Sequence, residues 1–158
     1  MSPYDSMAAC MPTADALQPT PRLILQGQMG EINLLWPWVE SLAAAFAIPS
    51  DPLFAIHLCL EEAISNIIRH GYQGSSGRVT IDFSRENSTD LVFTIEDQAP
   101  FFDPLGETAV PAMPLPQSIE RLNPGGHGIR LLRRFAGSLA YQRLAHGNRL
   151  TIRFTSPG

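Results

Sequence analysis

The sequence predicts a two-layer α/β sandwich, with helices on one face of a mixed, mostly antiparallel sheet. Three observations carry this. Several short segments alternate in polarity, as half-buried strands do. Others place apolar residues at helical spacing. Their order is strand, helix, helix, two strands, long loop, helix, two strands, which stacks helices against one side of a sheet. With 158 residues, 44% apolar and 16% charged, the chain suits one compact globular domain.

Residues 1–21 mix Ser, Pro, Thr, Ala and Met without a period and read as a flexible tail. The domain is expected over 22–158. Arg22 to Gln28 (RLILQGQ) suits a first strand, with Leu23 and Leu25 on one face. From Gly30 to Ile48, apolar residues at Leu34, Leu35, Val39, Leu42, Ala43 and Phe46 mark a helix. Pro37 places its regular start nearby. Pro49-Ser50-Asp51-Pro52 breaks the chain. Ser50 or Asp51 then caps a second helix, with Pro52 in its first turn, running to about Arg69.

Gly71 and the cluster Gly74-Ser75-Ser76-Gly77 end that helix. Arg78 to Ser84 and Leu91 to Glu96 form two strands around a polar turn at Glu86-Asn87-Ser88. Residues 99–124 are proline-rich and loop-like, and a long irregular stretch in a small domain is usually functional or disordered. Gly125-Gly126-His127-Gly128 opens a third helix, Ile129 to Ala136. A last hairpin joins Leu139–Leu144 to Arg149–Thr155 through a turn at His146-Gly147-Asn148.

Composition narrows the function. A net charge of −4 argues against a nucleic-acid surface, which needs a concentrated basic face. Cys10 and Cys59 have neither the number nor the spacing of a metal site or disulfide framework, and fit a reducing, cytoplasmic setting. No secretory signal is expected at the N-terminus. No window approaches the apolar run of about 18 residues that a membrane helix needs.

Three constellations carry chemistry. On the second helix, Glu62, Asn66 and His70 recur every fourth residue and share a face, beside an apolar stripe of Leu60, Ile64, Ile67 and Ile68. A carboxylate and an amide one turn apart suit a general base and a metal-ion ligand. A solvated polar face is the plain alternative. Asp97 closes an apolar strand, where a carboxylate can accept a hydrogen bond from the exocyclic amine of adenine. It also suits a turn-initiating Asp. Gly125, Gly126 and Gly128 allow backbone N–H groups to approach phosphate oxygens at a helix N-terminus, or they form a hinge. His127 has no evident partner and is read as a loop residue.

The set taken in order resembles the GHKL ATPase superfamily. Glu62 to Asn66 looks like its N box, Asp97 begins its first glycine box, and Gly126-His127-Gly128 looks like its second. Within the superfamily, EEAISNIIRHGY, EDQAPFFDP, GGHGIRLLRRF and GNRLTIRF are similar to bacterial anti-sigma-factor serine kinases. The likeness spans roughly Arg22 to Phe154. One departure is Ala99 where the first box usually has Gly, D-x-G, which adds a methyl group near the expected adenine edge.

The resemblance implies a Bergerat, histidine-kinase-like ATPase fold that binds ATP and Mg2+. It implies Asn66 as the Mg2+ ligand and Glu62 as the base that takes the proton of an attacking serine. Asp97 would read adenine, with Ala99 and Thr151 as neighbours. Gly126 and Gly128 would cradle phosphates beneath a lid at about 99–124. The substrate implied is a serine on a STAS-type antagonist, and the other partner a sigma factor. Family members commonly form homodimers. A non-catalytic ATP-binding regulatory module is the alternative that Ala99 keeps open. The ATP-binding half of a histidine kinase would need a helical hairpin for which the segment before the first strand lacks helical periodicity.

Overall fold

A computed structural model describes residues 20–100 and 128–155. The strands are β1 (Arg22–Leu25), β2 (Val79–Arg85), β3 (Asp90–Asp97), β4 (Ser138–Leu144) and β5 (Gly147–Thr155). They form one sheet in the order β1-β2-β3-β5-β4. All four pairings among them are antiparallel. The helices are α1 (Leu35–Phe46), α2 (Leu53–Asn66) and α3 (Gly128–Phe135).

The helices cover one face of the sheet, and the period-two alternation decides what lies between. Leu91, Phe93 and Ile95 of β3 are buried with Ile81 and Phe83 of β2 and Leu150 and Ile152 of β5. They pack with Val39 and Leu42 of α1 and Ile56, Leu60, Ala63 and Ile64 of α2. Phe93 sits at the centre, its ring 5.2 Å from Phe83, 5.9 Å from Phe154 and 6.2 Å from Trp38. The other face is polar and carries cross-strand ion pairs: Arg22 with Asp82, Arg149 with Glu96, and Arg153 with Glu86 and Asp90. A sheet polar on one face and apolar on the other is therefore a two-layer structure, as expected.

Local chemistry explains the boundaries. A 3-10 turn, Met29–Leu34, precedes α1. The Glu31 carboxylate accepts from the N–H groups of Gln28 and Gln26, at 3.1 and 2.8 Å. Pro37 is the third residue of α1, where a missing N–H costs no intrahelical bond. Ala47, at φ 50°, reverses the chain in the left-handed conformation, and Ile48 N–H closes the helix end on Ala43 O. Between β2 and β3, the Asn87 side chain accepts from the N–H groups of Thr89 and Asp90, at 2.8 and 2.7 Å. That is the turn chemistry Asn supplies.

Four details differ from expectation. The first strand is shorter, ending at Leu25. Pro52 stands at the N-cap of α2 rather than inside its first turn, and neither Ser50 nor Asp51 caps it by a side chain; instead Leu53 N–H bonds Ser50 O at 3.1 Å. The regular helix stops at Asn66 and widens into a π turn, Ile67–Gly71, closed by Tyr72 N–H on Ile67 O at 2.9 Å. Finally, the last hairpin turns on Ala145 and His146 alone, with Leu144 paired to Gly147, so β5 begins two residues earlier than expected. Among the described residues, no helix is long and apolar enough to cross a membrane.

Candidate functional site

Glu62 and Asn66 lie one turn apart at the end of α2. Glu62 is buried, 4% exposed, beside buried Ser65. A carboxylate in that position is not on a solvated face, so the plain alternative does not hold for it. Its charge is felt by Cys59, whose thiol is pushed up to about 12, first by burial and then by Glu62. Asn66 is half-buried. Its side chain makes no hydrogen bond among the described residues, which leaves its amide oxygen available to a hard cation. His70 does not stay with them: the wider π turn breaks the four-residue period, and His70 is exposed.

Asp97 ends β3, the central strand, on the helical side of the sheet, and is 6% exposed. Its Oδ1 accepts from Ala99 N–H at 2.9 Å and from Asn148 Nδ2 at 2.8 Å. Oδ2 takes no hydrogen bond among the described residues. Burial pushes the carboxyl above its usual range, while Asn148, the Ala99 N–H and the nearby Arg143 guanidinium pull it back. Ala99 is buried, and its methyl belongs to the apolar core. It is not among the positive-φ residues, so the backbone there does not require the glycine that the family usually has.

α3 runs Gly128–Phe135, one residue earlier than expected at each end, and packs on α2: Leu131 and Leu132 are buried, and Cys59 Sγ lies 3.8 Å from Leu131 O. The fold thus stacks α2, which holds Glu62 and Asn66, on the sheet that holds Asp97 and against the helix that Gly128 opens. Gly125, Gly126, His127 and the proline-rich stretch from 101 to 124 lie outside the described residues.

Thr151 is not brought to Asp97. It pairs with Thr94 on the opposite, polar face, and the residue opposite Asp97 is Asn148. An odd separation along a strand places two residues on opposite faces. Expecting Asn148 in the turn hid this; a two-residue turn puts it in the strand. Gly147 makes the close approach possible, because a Cβ there would overlap the Asp97 carbonyl oxygen.

Tyr72 was also missed. Its hydroxyl donates to Arg78 O at 2.6 Å and accepts from Gln98 N–H at 2.9 Å. It joins the end of the Glu62 helix to the start of β2 and to the residue after Asp97. A cleft of about 410 Å3 borders Asp97 and is lined by Thr80, Glu96, Gln98 and His146. It includes neither Glu62 nor Asn66, so it is not where the motif residues meet.

The family model for the histidine kinase-like ATPase domain matches residues 29–154. The chain belongs to the histidine kinase-like ATPase domain family. It is 31% identical over 115 residues to the serine/threonine-protein kinase BtrW of Bordetella bronchiseptica, covering 73% of this chain and 79% of that one. Its fold is similar to the RsbU and RsbW domains of a Mycobacterium tuberculosis protein, with a TM-score of 0.57 and 14% identity over 88% of this chain. It is also similar to a blue-light activated histidine kinase of Erythrobacter litoralis, with a TM-score of 0.50 and 17% identity over 76%. The chain spans 33% and 41% of those two solved chains. The likeness carries the fold, and the same fold serves both kinds of protein.

Proposed function

We propose that this chain is an ATP-dependent protein-serine kinase and anti-sigma factor, which phosphorylates a STAS-type antagonist and sequesters a sigma factor. The observation that carries this reading is the buried Glu62 one helical turn from the unengaged amide of Asn66. A buried carboxylate one turn from a metal-ligating amide is placed as a general base needs to be. The relative named as a serine/threonine-protein kinase supports it.

Asn66 and the phosphates of ATP fit Mg2+, which binds through few protein oxygens plus substrate phosphates. Mg2+ bound there supplies charge neutralisation on the phosphates. Asp97 Oδ2 is free to accept from the adenine amine. Glu62 takes the proton from the attacking serine as the serine oxygen–phosphorus bond forms and the bond to ADP breaks. Gly126 and Gly128 hold the phosphates. The catalytic work is positioning and charge. The domain runs over 22–158, acts as a homodimer, and works in the cytoplasm.

The test is transfer of labelled γ-phosphate to a STAS-type protein pulled down from the source cell with this chain. Glu62→Gln should keep Mg·ATP affinity and lose transfer, because an amide cannot take the proton. Asn66→Ala should weaken Mg·ATP itself. Transfer at the parent rate by Glu62→Gln sinks the assignment. A second reading, which only the departure from D-x-G at Ala99 suggests, is a non-catalytic ATP-binding module in a partner-switching pathway. In that case the parent would bind Mg·ATP and partner yet transfer no phosphate.

A further inference from the structure

We infer that Asn148, held by Arg143 and Tyr141, is the positioning residue that keeps Asp97 a fixed acceptor and so selects 6-aminopurine over 6-oxopurine nucleotides. The inference rests on the adenine-reading role proposed for Asp97.

The hydrogen-bond pattern leaves the Asn148 amide little freedom. Its Oδ1 accepts from Tyr141 Oη at 2.7 Å and from Arg143 Nη1 at 2.9 Å. Two donors on one atom identify that atom as oxygen, because an amide nitrogen cannot accept. Nδ2 must then face the other way. It donates to Asp97 Oδ1 at 2.8 Å and approaches Ala99 O and Pro100 O, each at 3.3 Å. Arg143 Nη1 also reaches Ala99 O at 3.2 Å. Asn148 is 2% exposed, and β5 holds it opposite Asp97.

The consequence falls on Asp97. Its Oδ1 already accepts two N–H groups, so that atom has no use for a proton. Any proton the carboxyl binds must go to Oδ2, the oxygen aimed away from Asn148. Oδ2 would then be a donor. A donor repels the 6-amino group of adenine and suits the 6-oxo group of hypoxanthine. The Asn148 donation and the Arg143 charge both favour the ionised form. Other titratable or charged groups near it are Tyr72, from the turn after α2, and Arg22, Arg78, Glu96 and His146, which line the cleft that Asp97 borders.

The test compares ATP and ITP, which differ at the 6-position of the base. Affinities of the full chain for each are measured by calorimetry with Mg2+ between pH 5.5 and 8.5, for the parent, Asn148→Leu and Arg143→Met. Asn148→Leu keeps the volume and removes the donor. Arg143 is exposed, so Arg143→Met reports even if Asn148→Leu does not fold. The parent should prefer ATP. In both variants, ATP affinity at pH 7.5 should fall about tenfold, the scale of one charge-assisted hydrogen bond, while ITP affinity holds. The pH below which ATP affinity is lost should rise. Equal losses for ATP and ITP, or an unchanged preference in both variants, overturns the inference while leaving the ATP site intact. A parent that binds no ATP, or shows no preference, overturns the role of Asp97 itself.

Discussion

Gly77→Ala tests the contact that ties the functional helix to the sheet. A Cβ at position 77 would lie 2.7 Å from Tyr72 Cδ1 and closer still to Cε1 and Cζ. Non-bonded carbons need about 3.5 Å. The ring must therefore move by roughly 0.8 Å at Cδ1 and by more at Cε1 and Cζ. It cannot do so freely, because Tyr72 is 7% exposed and its hydroxyl is held at 2.6 Å by Arg78 O and at 2.9 Å by Gln98 N–H. Loss of two hydrogen bonds costs about 1–3 kcal/mol. Overpacking adds about 1–3 kcal/mol. A cost of about 2–6 kcal/mol should lower Tm by roughly 6–18 °C in a domain of this size. Tyr72→Phe, which loses the bonds without the clash, should cost only about 1–3 kcal/mol.

Urea unfolding of the two variants and of Tyr72→Ala with and without Gly77→Ala completes a cycle. With the ring gone, Gly77→Ala should cost a few tenths of a kcal/mol, roughly its backbone effect alone. An equal cost in both backgrounds, or a Gly77→Ala protein as stable as the parent, would refute the reasoning. Because Gln98 follows Asp97, Gly77→Ala should also weaken nucleotide binding at temperatures where the chain is still folded.

Other outcomes are expected. Asp97 has a raised folded pKa, so it contributes stability below its ordinary value of 3.8 that is lost as pH rises through the folded value. Asp97→Asn should therefore leave the nucleotide-free protein at least as stable as the parent at pH 7.5. It should also abolish the stabilisation of about 2.7 kcal/mol that ATP at about 100 Kd gives the parent. Differential scanning fluorimetry with and without Mg·ATP checks both, and a lower Tm at pH 7.5 without nucleotide counts against the direction. Phe93→Ala removes a fully buried ring at the junction of α1 and three strands and should cost about 3–5 kcal/mol in urea unfolding. Cys59, with its thiol pushed up to about 12 and buried, should resist a thiol reagent in native buffer and react in urea. Peptide mapping of the labelled protein reports this, and rapid native labelling at Cys59 would contradict the burial.

Element order was legible because it is written in short-range periodicity. The apolar stripe beside Glu62 and Asn66 comes from residues within one helix, and those two side chains land a turn apart wherever that helix packs. Asp97 at a strand end and Gly128 at a helix start are likewise local properties. The misplacements were also local in origin. Pro52 was expected inside α2 because Ser50 and Asp51 resemble caps, but a backbone turn does that work. Asn148 was expected in a three-residue hairpin turn, and a two-residue turn instead places it in β5 opposite Asp97.

By itself the sequence determined which segments are helix or strand and which chemistry each carries, since spacing and turn residues act over a few positions. Tertiary structure alone decided that Glu62 is buried, that α2 widens after Asn66, and that Asn148 sits beside Asp97. Asp97 and Asn148 bond across 51 positions of the chain, and Tyr72, after the π turn, bonds Gln98 across 26. Such contacts form only when the strand order β1-β2-β3-β5-β4 closes, and no local pattern encodes that order.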